Sequence, residues 1–300
     1  MATDKVNLLD PGAVASGEAL GLAARMIMEG YRVGDHRSPF HGFAIEFAQH
    51  REYTMGDDVR HLDWKVLGRT DRYYIKQYQQ DTNFVCHLLI DGSESMNYGG
   101  GKITKMHYAK VLAACLSYIV LHQRDAISLN VFDTEIRDQF ARTDNVGKIH
   151  DIMQKLSDFK ATNETKLGKA MHDLAGQIRP RSIVVIISDL FDDEAAFQKN
   201  VERIRFQKGE VIVFHVLDPD EMEFPFTGTV KFIGLEKAGI LQTSPASIRK
   251  SYLKTFDEFR MRMRRICDRT GSHYVLANTA VPIGETLSEY LAFRQNYRSR

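Results

Sequence analysis

The sequence predicts an α/β protein: a three-layer, doubly wound and mostly parallel sheet, preceded by a β-containing N-terminal extension. Three observations lead there. Apolar, β-branched runs without alternation, such as Ser182 to Ile187 and Glu210 to Leu217, mark strands buried on both faces. They alternate with amphipathic stretches of about ten to fifteen residues at helical spacing, the pattern of strand–helix–strand units. Hydrophobic residues at 43% and charged residues at 26% describe a globular chain and exclude a disordered or fibrous one.

The elements follow in order. Residues 1–83 read as an extension in which apolar positions lack long periodicity, ending in a half-exposed strand from Arg72 to Gln80 with alternating aromatic and polar side chains. Residues 84–300 read as the main domain. Phe84 to Ile90 is a short apolar strand, followed by a small-residue loop and a helix from Thr104 to His122. Ile127 to Phe132 is a strand that Asp133-Thr134-Glu135 turns back into Ile136 to Phe140, an antiparallel partner. Helical spacing recurs from Val146 to Phe159 and from Leu167 to Ile178. The strand Ser182 to Ile187, a helix from Ala195 to Phe206 and the strand Glu210 to Leu217 continue the alternation. Short strands near 230–235 and 240–243 precede a long amphipathic helix over 246–268, a strand over 272–277 and a last helix near Gly284.

Charge and cysteine content narrow the function classes. Forty basic residues against thirty-nine acidic ones give +1, so no overall field draws in nucleic acid or an anionic membrane. Cys86, Cys115 and Cys267 sit in apolar stretches without zinc or redox spacing and read as buried thiols of a reducing compartment. The N-terminus lacks the layout of a signal peptide, and the longest apolar run, Val111 to Leu121, is far short of a membrane span. The expectation is a soluble, cytoplasmic protein. Gly99-Gly100-Gly101-Lys102 lacks the Ser or Thr that a phosphate-binding loop needs after its Lys.

The chemistry concentrates where strands end. Asp91-x-Ser93-x-Ser95 follows the first buried strand, and Ser188-Asp189 closes another. Ligands of α/β sheets bind beyond the carboxyl ends of strands, where connections diverge to opposite faces. Carboxylates and hydroxyls gathered there are hard oxygen donors, suited to Mg²⁺, Mn²⁺ or Ca²⁺ rather than zinc. An ion held largely by neutral hydroxyls keeps strong Lewis acidity, and an open position on it seeks an external carboxylate.

Asp91-x-Ser93-x-Ser95, then Thr165, then Ser188-Asp189 resemble, in that order, the metal-ion-dependent adhesion site of a von Willebrand factor A-type, Rossmann-like domain. The resemblance implies strand order 3-2-1-4-5-6, with the strands of Asp91 and Asp189 adjacent. It implies Ser93, Ser95 and Thr165 as direct hydroxyl ligands, and Asp91 and Asp189 as ligands bound directly or through water. Two positions depart from the family pattern: Thr162-Asn163-Glu164 replaces a Gly-Gly pair before Thr165, and Leu190 stands where Gly is common after the Asp.

Gly56-Asp57-Asp58-Val59-Arg60-His61-Leu62-Asp63-Trp64-Lys65, Gly68-Arg69 and Tyr74-Ile75-Lys76-Gln77-Tyr78 are similar to the signature of the bacterial domain-of-unknown-function-58 proteins. That match spans about residues 50 to 190. Members are often encoded beside a MoxR-type AAA+ ATPase, which the resemblance implies as partner or as the remodeller of a shared client. Within the signature, Arg60, Asp63, Trp64, Lys65 and Arg69 are candidates for docking rather than catalysis, with Trp64 as an anchor.

These readings give a Mg²⁺-dependent interaction module (Mn²⁺ or Ca²⁺ in its place) that captures an acidic residue of a partner protein. No catalytic constellation is visible, so an enzyme is not expected. One alternative is a metal-dependent phosphoester hydrolase with Asp91 as nucleophile, although Ser93 occupies the place of the usual second acid. Another is RNA binding through the basic C-terminal helix, since residues 245–300 hold eleven basic and five acidic residues.

Overall fold

The computed structural model describes residues 24, 45–54, 62–70, 72–80, 84–101, 103–162, 164–180, 182–234, 239–288 and 290. Two compact units are found: a small one within Arg37–Asn83 and a large one that takes in Phe84–Arg300.

In the small unit β1 (Ile45–Glu52) pairs antiparallel with β2 (Tyr74–Gln80), with a register irregularity between Phe47 and Gln49. Between them lies α1 (Trp64–Thr70). Its start is set by Asp63, whose Oδ1 accepts from the Lys65 and Val66 N–H groups at 3.0 and 3.3 Å, as an N-cap does. The alternation read over 72–80 is β2. Neither β1 nor α1 was legible, because β1 has little β-branched content and α1 spans only two turns.

In the large unit six strands form one sheet. They are β3 (Val85–Asp91), β4 (Ala126–Phe132), β5 (Ile136–Thr143), β6 (Ser182–Ser188), β7 (Glu210–Leu217) and β10 (His273–Asn278). The order is β10-β7-β6-β3-β4-β5, parallel throughout except for β5. The three-residue turn after β4 permits only an antiparallel return, since parallel neighbours need a long crossover. Counted from the β5 edge, the strands run third, second, first, fourth, fifth and sixth in sequence, as the resemblance implied. A separate pair, β8 (Val230–Ile233) and β9 (Ile240–Thr243), is antiparallel.

The layers follow from burial. Ile183, Val184, Val185, Ile186 and Ile187 are all 1% exposed or less, and burying each such side chain stabilises by about 1.5–3 kcal/mol. On one face α4 (Leu167–Ala175), α5 (Glu194–Phe206) and α7 (Pro245–Thr270) share a core with Leu89, Val184, Ile186, Val211 and Val213. On the other, α2 (Lys105–His122) crosses β3, β4, β6 and β7, with α3 (Ile149–Asp158) beside it. The helix over 283–288 joins this second layer through a 2.8 Å hydrogen bond between Tyr108 Oη and Thr286 Oγ1. The run Val111 to Leu121 is apolar because α2 is buried nearly all round. Since α2 leaves β3 toward one face and α5 leaves β6 toward the other, the carboxyl ends of β3 and β6 form the switch point.

Candidate metal centre

Asp91 is the last residue of β3 and is fully buried. The chain leaves it through Gly92, which only a residue without a side chain fits well. A Cβ there would stand 3.0 Å from Val131 Cγ1 and 3.1 Å from the Phe132 carbonyl oxygen. The loop then enters a short 3-10 turn, Glu94–Asn97. This tight path turns Ser93 back toward the strand end, and its N–H donates to Asp91 Oδ1 at 3.0 Å. Ser93 Oγ and Ser95 Oγ lie 3.0 Å apart, and the Ser95 hydroxyl also bonds the Asp189 carboxylate.

Thr165 reaches the same place from the loop before α4. Its Oγ1 donates to Asp91 Oδ2 at 3.3 Å. Backbone bonds hold that loop in place of the expected glycine pair: Thr162 N–H to Gly92 O at 2.8 Å and Lys166 N–H to Asp133 O at 2.8 Å. Arg137 clamps it further, donating to Lys160 O at 2.6 Å and to the Asp133 carboxylate at 3.1 Å. Asn163 lies outside the described residues. The start of α4 is tied to the Asp189 loop by Asp192, whose Oδ2 accepts from Gly168 N–H at 3.0 Å. The helix α5 is capped by Asp193 alone, through the Ala195 and Ala196 N–H groups.

The five predicted residues are therefore together: Asp91, Ser93, Ser95, Thr165 and Asp189 share one continuous hydrogen-bonded cluster. Ser188, which the resemblance does not place among the ligands, donates its hydroxyl to Asp91 Oδ2 at 2.5 Å across the β3–β6 pair. Burial, then the nearby Asp189 carboxylate, push Asp91 up to about 7, against hydrogen bonds from Ser188 and Ser93. Burial acts to raise Asp189 as well, but the Lys105 ammonium and bonds from Lys105, Ser95 and Phe191 overcome it and hold this carboxyl below its usual range. Two buried carboxylates facing several hydroxyls make a hard-oxygen set, and these residues fit a divalent cation. Among the described residues no group of three or more histidine, cysteine, aspartate or glutamate side chains is placed to hold a metal ion, so the candidate donors here are two carboxylates and hydroxyls.

The sequence model of the family described as "Protein of unknown function DUF58" matches residues 49–262. The chain belongs to the DUF58 family. It is similar to the uncharacterized proteins Mb1516 of Mycobacterium bovis and Rv1480 of Mycobacterium tuberculosis. Each is 26% identical over 224 residues, 74% of this chain and 70% of theirs. Among solved structures it is similar to BatB from Bacteroides thetaiotaomicron, at 14% identity and TM-score 0.49, over 71% of this chain and 100% of that one. An aerotolerance-related membrane protein from Bacteroides fragilis gives 16% and 0.48, over 72% and 100%. The SpRpn10 VWA domain gives 15% and 0.41, over 69% and 95%.

The cytoplasmic location expected from the sequence is corrected by these comparisons. The structural neighbours include the aerotolerance-related membrane protein and a membrane spanning protein from Vibrio fischeri. Among the described residues no helix is long and apolar enough to cross a membrane, and that fact alone does not place a DUF58 chain in the cytoplasm.

The departure after Asp189 has a backbone cause. Leu190 has φ 60, in the left-handed region that a Gly would adopt freely, and a non-Gly residue there costs about 1–2 kcal/mol. Two features hold it: its N–H donates to Ser188 Oγ at 2.9 Å, and its side chain is buried in the core under α4 and α5.

The docking candidates of the DUF58 signature fall in the small unit. Asp63 caps α1. Trp64, expected as an anchor, is 67% exposed, and Lys65 and Arg69 are exposed on the same short helix. Arg60 lies outside the described residues.

Sequence reasoning missed Lys105. Its side chain is 1% exposed, and its Nζ lies 2.8 Å from Asp189 Oδ2 and 2.7 Å from Glu221 Oε1. Burial acts to lower this ammonium, and the two carboxylates overcome it and raise it above the ordinary lysine value. Glu221 belongs to α6 (Pro219–Glu223), another element that escaped the sequence reading. The available clue is position: a Lys one residue past a helix cap, on the turn nearest the strand ends.

Proposed function

We propose that this DUF58 protein is a divalent-cation-dependent protein-interaction module. A von Willebrand factor A-like fold is that of an interaction module, and the cluster at the β3–β6 switch point supplies the means. The observation that carries the reading is the convergence of Asp91, Ser93, Ser95, Thr165 and Asp189, with two buried carboxylates side by side. These five residues would hold Mg²⁺, or Mn²⁺ or Ca²⁺ in its place. Once bound, the ion supplies Lewis acidity toward a carboxylate presented by a partner. Asp91 is oriented by the Ser93 N–H and by the Ser188 and Thr165 hydroxyls, and Asp189 by Lys105 and Ser95. The partner suggested by resemblance is a MoxR-type AAA+ ATPase or its client, which makes the chain an adaptor.

Two features argue against the alternatives. The aspartyl-phosphate route needs a second acid two residues after the nucleophile, and Ser93 stands there, which disfavours Asp91 as a nucleophile. On the basic helix α7, Arg262 forks onto Glu194 at 2.8–3.0 Å and Arg260 pairs with Asp257, so part of its charge is already neutralised.

The test is capture of partners by the full chain from the native lysate, in parallel with Mg²⁺ and with EDTA. A protein retained only with Mg²⁺, and lost with Ser93→Ala, supports the reading; an AAA+ ATPase there supports the adaptor role. Identical fractions with and without EDTA overturn it.

A further inference from the structure

Lys105 is placed oddly for a site that gathers negative charge to hold a cation. It opens α2 directly after the cap Thr104, and its side chain turns inward instead of reaching solvent. A buried ammonium is tolerated only when paired and hydrogen-bonded, and here both partners are carboxylates. One is Asp189, among the five residues assigned above to the ion. The other, Glu221, is no member of that set.

Glu221 is fixed independently of Lys105. Its Oε2 accepts from the Asp218 N–H at 2.9 Å, closing the capping box of α6. Asp218 is in turn held by Thr279 Oγ1 at 2.9 Å. Glu221 Oε1 is thus presented to the ammonium by a braced element, and Lys105 bridges that element to the strand-end cluster. If Lys105 served only to neutralise Asp189, a second carboxylate on it would be superfluous. With Glu221 present the ammonium is shared, and its repulsion of a second cation nearby is partly cancelled.

We propose that Lys105 and Glu221 form a charge-setting pair for the cation site: Lys105 lowers the affinity for a divalent ion, and Glu221 restores part of it. The proposal rests on the metal reading above. In its simplest form it makes the site weak for an ion alone, so that an acidic ligand adds to retention of the ion. Lys105 and Asp189 are both buried, so the charge on Lys105 acts on the cluster with little screening by solvent.

The experiment measures Mn²⁺ binding to the full chain by titration calorimetry and by the loss of the free Mn²⁺ electron paramagnetic resonance signal. The variants are Lys105→Met, Glu221→Gln and Asp91→Ala. Lys105→Met is expected to tighten Mn²⁺ at least about tenfold and Glu221→Gln to weaken it at least about threefold, the opposite signs being the diagnostic. Thermal unfolding in EDTA and in Mn²⁺ supplies a second readout, in which Lys105→Met gains more from Mn²⁺ than wild type does. Should Lys105→Met fail to fold, Glu221→Gln decides alone. If Asp91→Ala abolishes binding while Glu221→Gln and any folded Lys105→Met stay within twofold of wild type, the pair is merely structural and the proposal is overturned with the metal reading intact. If neither wild type nor any folded variant binds Mn²⁺, both fall together.

Discussion

The Ser188 hydroxyl donates to Asp91 Oδ2 at 2.5 Å, joining the last residues of two neighbouring parallel strands. The same oxygen atom of Ser188 accepts the Leu190 N–H at 2.9 Å. One side chain therefore orients the first carboxylate of the cluster and fixes the backbone that carries the second. Ser188→Ala leaves Asp91 and the Leu190 amide each short of a partner in a dry environment. The expected loss of stability is about 1–3 kcal/mol, read by chemical unfolding in EDTA. Mn²⁺ binding is expected to weaken severalfold without disappearing, since none of the five assigned ligands is removed. A variant as stable as wild type, with unchanged Mn²⁺ affinity, would show that Ser188 is a bystander.

Leu190 gives a prediction that reverses an ordinary ranking. At most buried sites Leu→Gly costs more than Leu→Ala, because glycine adds unfolded-state entropy to the lost contacts. Here the backbone is left-handed at φ 60, a conformation that Ala pays for and Gly does not. Both variants lose the buried side chain, a loss of about 2–5 kcal/mol. Leu190→Gly is nevertheless expected to be about 1 kcal/mol more stable than Leu190→Ala. Unfolding curves of the two proteins side by side decide it; the usual order, with Ala the more stable, would mean that the backbone relaxes out of this region at little cost.

Much of the large unit was legible because its strands are buried on both faces and its helices are long. Ser182–Ser188 and Glu210–Leu217 have no exposed residue, so their runs admit one interpretation. The hairpin β4–β5 is readable from its three-residue turn, Asp91, Ser93, Ser95 and Asp189 from their places at or just past strand ends, and Thr165, ahead of a helix, only through the family resemblance. What escaped was short or depended on tertiary partners. Five residues of α6 carry no periodicity, and the inward turn of Lys105 depends on Glu221, more than a hundred positions away. Asp192 and Asp193 adjoin ahead of α5, and only the approach of α4 separates them: Asp192 serves Gly168 and Asp193 serves α5. Asp63 and Trp64 stand side by side in the family signature, and the helix start at Trp64 buries the first and exposes the second, a difference that only the folded backbone sets.

His87 supplies a pH dependence away from the cluster. It lies on β3, 8% exposed, with Nδ1 2.8 Å from Ser128 Oγ, beside a cleft lined by Asn130, Gln139, Arg142 and Arg179. Burial, then the Arg142 charge, lower its pKa to about 4 from 6.5. The folded state therefore keeps the ring neutral where the unfolded chain has already taken up a proton. With more protons bound to the unfolded state, stability falls as pH drops below about 6.5, and the loss is complete once the folded ring protonates near 4. Across that window the slope attributable to this one group approaches 1.4 kcal/mol per pH unit. His87→Asn keeps a polar partner for Ser128 and has no titrating ring. Its unfolding free energy, measured at pH 5 and pH 7 against wild type, is expected to fall less on acidification, by about 1–2 kcal/mol. Equal losses in the two proteins would mean that His87 is solvated and protonated in the folded state, and the acid sensitivity would then belong to other groups.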